Sequence, residues 1–86
     1  MSTDMQTGFV LITTKPLKEK DVFNALNKKN QQDKKIEYVQ PLLGEYDILV
    51  KVNVKNFDAL GKFVVDEIMS IPDIEDTKTL HGIKYK

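Results

Sequence analysis

Residues 9–14 read Phe-Val-Leu-Ile-Thr-Thr, and they carry bulk on both alternating sets: Phe9, Leu11 and Thr13 on one, Val10, Ile12 and Thr14 on the other. β-Branched and aromatic residues in such a run predict a strand. Successive strand side chains leave on opposite faces, so a strand apolar on both sets needs cover on both sides. In a chain of 86 residues that cover has few sources. The length supports one modest core, and residues 8–86 are expected to form a single domain behind a short disordered start at residues 1–7.

The remaining periodicities decide what does the covering. After Lys15-Pro16, residues 18–29 place Val22, Phe23 and Leu26 at helical spacing, which predicts an amphipathic helix of about three turns. The stretch 30–35 is polar throughout and reads as a surface loop. Residues 36–40 set Ile36 and Tyr38 against Glu37 and Val39, and Pro41 and Gly44 then punctuate a turn. Ile48, Val50, Val52 and Val54 alternate with Leu49, Lys51 and Asn53, the clearest strand signal in the chain, so the two strands should form an antiparallel hairpin. Asn56 is a helix N-cap, with Asp58 in the first turn, ahead of the stripe Phe57, Leu60, Val64, Ile68 and Ile71. Gly61 weakens this helix slightly and Pro72 stops it. Residues 76–84 alternate Thr77, Thr79, His81 and Ile83 with Lys78, Leu80 and Gly82, a last strand.

The order strand, helix, strand, strand, helix, strand predicts an α+β fold of the ferredoxin-like kind, with a four-stranded antiparallel sheet and both helices on one face. Two helices cover one side only. The other side of the two-faced first strand is then expected to pack against a second subunit, giving a dimer built as a dimeric α+β barrel.

Composition excludes more than it selects. Thirteen acidic side chains balance thirteen basic ones, all of them lysine, so there is no net field toward a polyanion and no guanidinium for bidentate base or phosphate contacts. Direct DNA binding is disfavoured. Cysteine is absent, no apolar run reaches the ~20 residues of a membrane span, and the first residues lack a signal-peptide pattern, so a cytosolic protein is expected. Gly8, Gly44, Gly61 and Gly82 lie too far apart for a phosphate-cradling loop. The serines are Ser2 and Ser70 and His81 is the single histidine, an inventory too thin for nucleophilic catalysis or a metal site. Glu75 and Asp76 point to opposite strand faces, and Lys28-Lys29 and Lys34-Lys35 read as a solvated surface. No catalysis, cofactor or metal is expected.

Gly44-Glu45-Tyr46-Asp47 and the pair Thr77 and Thr79 remain. One reading is structural: a glycine supplying positive φ, a packed tyrosine, and two good strand formers. The other uses the same atoms as a ligand site. A glycine turn exposes backbone N–H groups to a carboxylate, Glu45 or Asp47 meets an ammonium, and the threonine hydroxyls donate and accept. Such a set suits an amino acid.

Gly44-Glu45-Tyr46-Asp47 followed by Ile48-Leu49-Val50, together with Ser70-Ile71-Pro72 and Thr77-Lys78-Thr79, resembles the effector-binding half of the Lrp/AsnC regulators, the RAM domain. The resemblance spans residues 8–84. It implies dimers with sheets stacked face to face, assembled into octamer or decamer rings, with amino-acid effectors held at contacts between dimers by Gly44, Glu45, Tyr46, Asp47, Thr77 and Thr79. Full-length members of that family carry an N-terminal helix-turn-helix, and here about eight residues precede the first strand. The chain therefore resembles the stand-alone RAM proteins, which implies no direct DNA contact and action through co-assembly with full-length regulators. Leu17 stands where a glycine is common in the family, and the polar stretch 30–35 is longer than its usual connection. The alternative is a dimeric α+β barrel enzyme acting on a small substrate between the sheets, with His81 among its polar groups.

Overall fold

A computed structural model describes residues 5–83. The elements are β1 (Gln6–Thr14), α1 (Glu19–Gln32), β2 (Ile36–Pro41), β3 (Ile48–Val54), α2 (Phe57–Phe63) continuing into a π-helical segment (Val64–Ile68), and β4 (Ile74–His81). The four strands form one antiparallel sheet in the order β2-β3-β1-β4, the ferredoxin-like arrangement. β1 lies between β3 and β4, so its two-faced sequence sits where both faces matter.

The register sorts the faces. Val10 and Ile12 pair with Val50 and Ile48 on the side the helices cover, and these four, with Thr14, Val52 and Val54, are buried. Val22 and Leu26 of α1 close that core, with Leu60, Phe63, Val64, Ile68 and Ile71 from the second helix. The opposite side carries Phe9, Leu11 and Thr13 of β1, paired with Lys51 and Leu49 of β3 and with Leu80, Lys78 and Asp76 of β4. Only part of that face is shielded within one chain: Phe9, Leu11 and Leu49 are half-buried, and Leu80 and Tyr38 are exposed.

Several element boundaries differ from the sequence expectations. β1 starts at Gln6 rather than Phe9, because Gln6 and Thr7 pair with Val54 and Asn53 and the Gly82 N–H donates to the Thr7 carbonyl at 2.8 Å. Of the expected disordered start, residues 1–4 lie outside the described residues. α1 runs on to Gln32, absorbing half of the predicted loop. The Asp33 N–H still reaches the Lys29 carbonyl at 2.8 Å, and only then does the Asp33 carboxylate accept the Lys35 N–H at 2.9 Å in an Asx turn. The connection between β2 and β3 is six residues, 42–47, rather than a tight turn.

Two local irregularities interrupt the regular elements. A bulge between Ile36 and Tyr38 lets Ile36 and Val39 both reach the core while Glu37 and Tyr38 share the open face, where strict alternation had paired Ile36 with Tyr38. In the second helix the Met69 N–H bonds to the Val64 carbonyl, five residues back, at 2.8 Å. Leu60, Phe63, Val64 and Ile68 are buried, whereas Phe57, expected in the core stripe, stands exposed at the helix start. Asn56 caps that start as expected, its side chain accepting the Ala59 N–H at 2.8 Å. Among the described residues no helix is long and apolar enough to cross a membrane.

Candidate functional site

The 42–47 loop is fastened at its base and open at its tip. The Leu42 N–H donates to the Asp47 carbonyl, and the Asp47 N–H to the Ile12 carbonyl, each at 2.8 Å. The Asp47 carboxylate accepts the Thr14 backbone N–H at 2.8 Å and the Thr14 hydroxyl at 3.2 Å, both through Oδ2. Asp47 thus extends the β1–β3 ladder past its last backbone pair and fixes where the loop leaves the sheet. At the tip Gly44 has φ +146, a backbone conformation that favours glycine, with no atom near the place a Cβ would occupy. Leu43 and Glu45 are exposed and Tyr46 is half-buried.

Thr77 and Thr79 stand on β4 opposite Ile12 and Val10, so their side chains leave on the helix-covered side. Thr77 is half-buried and Thr79 is exposed, since β4 is an edge strand. Ile12 also pairs with Ile48, so Thr77 and the base of the loop share one end of the sheet with β1 between them. Two strand spacings separate them, roughly 10 Å. One chain therefore brings Gly44, Glu45, Tyr46 and Asp47 together, joins Asp47 to Thr14, and leaves Thr77 and Thr79 across β1.

The opposite end of the sheet holds a hollow of about 600 Å³ bordered by Thr7, Phe9, Lys51, His81 and Ile83. The His81 side chain leaves on the helix-covered side, opposite Gly8: its Nε2 lies 2.7 Å from the Gln6 Oε1, and its ring meets Phe57 edge-on with centroids 5.2 Å apart. Lys51 lies 3.4 Å from the Glu37 carboxylate and 5.8 Å from the centre of the Tyr38 ring. The Asn53 amide donates to Glu37 at 3.0 Å, and that bond, with the Lys51 cation, holds the Glu37 carboxyl below the usual carboxylate range. Among the described residues no group of three or more His, Asp or Glu side chains is placed to hold a metal ion.

Thr14 and Lys51 are the residues that sequence reasoning did not single out. Thr14 looked like one more strand former, and its link to Asp47 spans 33 positions with no local trace. Lys51 falls in the set opposite Ile48, Val50, Val52 and Val54, as Lys78 falls opposite Thr77 and Thr79, and a lysine at such a position reads from sequence as no more than a solvent-facing residue.

Residues 7–84 match the sequence profile of the Lrp/AsnC ligand binding domain. The chain belongs to that family. Among curated relatives, the HTH-type transcriptional regulator FL11 of Pyrococcus abyssi is 37% identical over 77 residues, which are 90% of this chain and 48% of the relative. This chain thus spans about half the length of the curated relatives it matches. Among solved structures, TTHA0845 from Thermus thermophilus superposes with a TM-score of 0.81 at 26% identity, covering 95% of this chain and 98% of that one. AsnC of E. coli superposes with a TM-score of 0.75 at 28% identity, covering 93% of this chain and 52% of AsnC. The Lrp/AsnC domain described here thus shares both sequence and fold with transcriptional regulators.

Proposed function

We propose that this Lrp/AsnC domain senses a free amino acid or a similar small zwitterion and passes its binding state to transcription through the proteins it assembles with. The observation that carries the reading is the split site. Gly44 and Glu45 present an open loop tip on one side of β1, and Thr77 and Thr79 stand on the other. A neighbouring subunit that brings its β4 against this loop completes the set, so ligand binding and assembly become one event. Asp47 engages Thr14 through Oδ2 and holds the loop base, and Glu45 is the exposed carboxylate of the tip. The ammonium of the ligand then falls to Glu45, its carboxylate to the backbone N–H groups around Gly44, and the threonine hydroxyls to its remaining polar atoms.

Pairing of open sheet faces supports the same reading. Phe9, Leu11, Leu49, Tyr38 and Leu80 lie on the face without helices, and a second copy buries them. Dimers formed this way leave both the Gly44 loop and β4 at their rims, where further dimers meet to form a ring. Co-assembly with full-length regulators uses those same rims.

The test is thermal unfolding of the whole chain against the standard amino acids, with mass measured by light scattering in the same buffers. A ligand at a hundredfold excess over its Kd stabilises the folded form by about 2.7 kcal/mol. One or a few amino acids should raise Tm in the wild type and fail to do so in Glu45→Gln, whose mass as a dimer is unchanged. No response to any amino acid, or a response that Glu45→Gln retains in full, overturns the proposal.

A further inference from the structure

β4 ends the sheet, and among the described residues no strand pairs with its outer edge. The Thr77 N–H points out of the β1–β4 ladder and is accepted by the carboxylate of its own neighbour, Asp76, at 2.9 Å. Main-chain groups alternate in direction along a strand, so those of Thr79 and His81 also point outward. Thr77 stands opposite Ile12, roughly 20 Å along β1 from Gln6 at strand rise, farther than the four residues before Met5 can span. The other edge of the sheet, β2, is broken by its bulge and ends in Pro41, and both features discourage pairing.

An apolar stripe runs beside the β4 edge. Phe57, Val65 and Met69 are each more than half exposed, and Gly61 among them has open space where a Cβ would stand. Four-residue steps over-rotate an α-helix by about 40° each, so such a stripe would spiral away. The wider π turn at Val64–Ile68 takes rotation back and keeps the four positions on one side of the helix. Leu60 marks the inner side, over Gly8 of β1, and the contact of the Phe57 and His81 rings fixes the stripe on the β4 side.

We infer that this edge and stripe together receive a second copy of the same chain, β4 against β4 about a two-fold axis and the second helix against its counterpart. Charge selects the register. Centred on Thr77, the pairing sets Asp76 of each copy opposite Lys78 of the other, on the same face of the sheet. The Asp76 carboxylate then exchanges the Thr77 N–H for that ammonium, and the Thr77 N–H takes the Thr77 carbonyl of the second copy. Centred on Lys78, the same pairing sets ammonium against ammonium, and centred on Thr79 it sets Lys78 against Leu80. The bulge opposite Thr14 falls close to the axis, so the strand contact is short and the helices complete it. From His81 to Thr77 is roughly 13 Å of strand, or about nine residues of helix counted from Phe57, which puts the axis near Val65. Val65 then meets its own counterpart, and Met69 covers the space at Gly61 of the second copy. A β4 paired in this way is withdrawn from the loop contact proposed above, so one copy engages in one or the other.

The chain has no cysteine, so Thr77→Cys places a single thiol on the axis. Hydrogen-bonded partners there have Cα atoms about 5.5 Å apart, within disulfide range. In the same register two Thr79 positions lie roughly 14 Å apart along the strands. The full chain, without added amino acid, is oxidised with glutathione disulfide, and disulfide-linked dimers are followed by mass spectrometry. Thr77→Cys should cross-link about tenfold faster than Thr79→Cys, or more. Adding Lys78→Asp or Asp76→Lys to Thr77→Cys should slow the reaction about tenfold by setting like charges together. Mixing those two chains should restore it as the mixed dimer, in which each copy supplies the charge the other needs, and this recovery shows that both chains are folded. Val65→Lys, at an exposed position, should slow cross-linking as well. The inference is overturned by equal rates at Thr77 and Thr79, none at either included, by an unchanged rate with any one of the three added substitutions, or by no recovery in the mixture. Glu45 and amino acids take no part in this experiment, so it and the ligand reading fail separately.

Discussion

Leu17 is in a conformation that a leucine adopts only at a cost, and replacing it by glycine should stabilise the protein. Lys15-Pro16-Leu17-Lys18 forms a β-turn closed by the Lys18 N–H to the Lys15 carbonyl at 3.0 Å, and Leu17 has φ +67. Proline in the second position and positive φ in the third are the marks of a type II turn, which favours glycine in the third position. The left-handed conformation costs a residue with a Cβ about 1–2 kcal/mol. Leu17 recovers nothing by burial, since it is 91% exposed. Glycine gives back part of the gain through its freer unfolded chain, about 0.4–1 kcal/mol. The net is a stabilisation of about 0.5–1 kcal/mol, or about 2–8 °C in Tm for a domain of this size. Thermal unfolding at fixed protein concentration measures it, with Leu17→Ala as the control that trims the side chain and keeps the Cβ. Leu17→Gly should rise and Leu17→Ala should stay near the wild type. A rise of equal size in both variants refutes the backbone argument, and a fall in both shows that the side chain is buried in a contact between copies.

Three further predictions rest on single geometric facts. A Cβ at Gly8 overlaps the Leu60 δ-methyls, one of them at 2.7 Å, so Gly8→Ala should cost about 1–3 kcal/mol in chemical denaturation and lose much of that penalty when Leu60 is also trimmed to Val. Asp47→Ala leaves the Thr14 N–H and hydroxyl without their acceptor and should cost about 1–3 kcal/mol, whereas an unchanged denaturation midpoint removes the link between loop and strand. The Glu37 carboxyl is depressed by the Asn53 amide first and the Lys51 cation second, so its stabilising contribution is present above the usual carboxylate range and disappears as pH falls through its folded value. In Asn53→Ala, NMR titration of the Glu37 carboxyl should move upward toward an unperturbed glutamate.

The fold was legible because its signals are periodic and local. Ile48, Val50, Val52 and Val54 alternate without a break, and in the structure all four are buried on the helix side of the sheet. Asn56 and Pro72 bounded the second helix by backbone chemistry that needs no tertiary partner. The failures lie where one extra residue enters a regular element. The bulge at Ile36 to Tyr38 breaks the period on which a sequence pattern depends and so misassigned Tyr38, whereas Phe57 falls outside the core because it is the first residue of α2, directly after the Asn56 cap. The helix end at Gln32 was missed for a different reason: residues 30–32 are polar because they lie on the exposed last turn of α1, and polarity alone does not tell such a turn from a loop.

The loop residues Gly44 to Asp47 form a continuous segment in the sequence, and yet they divide by role. Asp47 engages Thr14 through Oδ2, so in the proposed site its part is to place Gly44 and Glu45. A substitution at Asp47 therefore lowers stability and disturbs the loop together, whereas one at Glu45, which is exposed, changes only what the loop tip can bind. The same division holds across the sheet. Thr77 shares its end with the loop base but is kept from it by β1, the strand that both halves of the sheet depend on. No local motion closes that gap while β1 remains paired on both sides, because moving either neighbour breaks its ladder. A site that uses both halves must take them from different copies, and a protein so built has reason to bury its open sheet face and meet further copies at its rim.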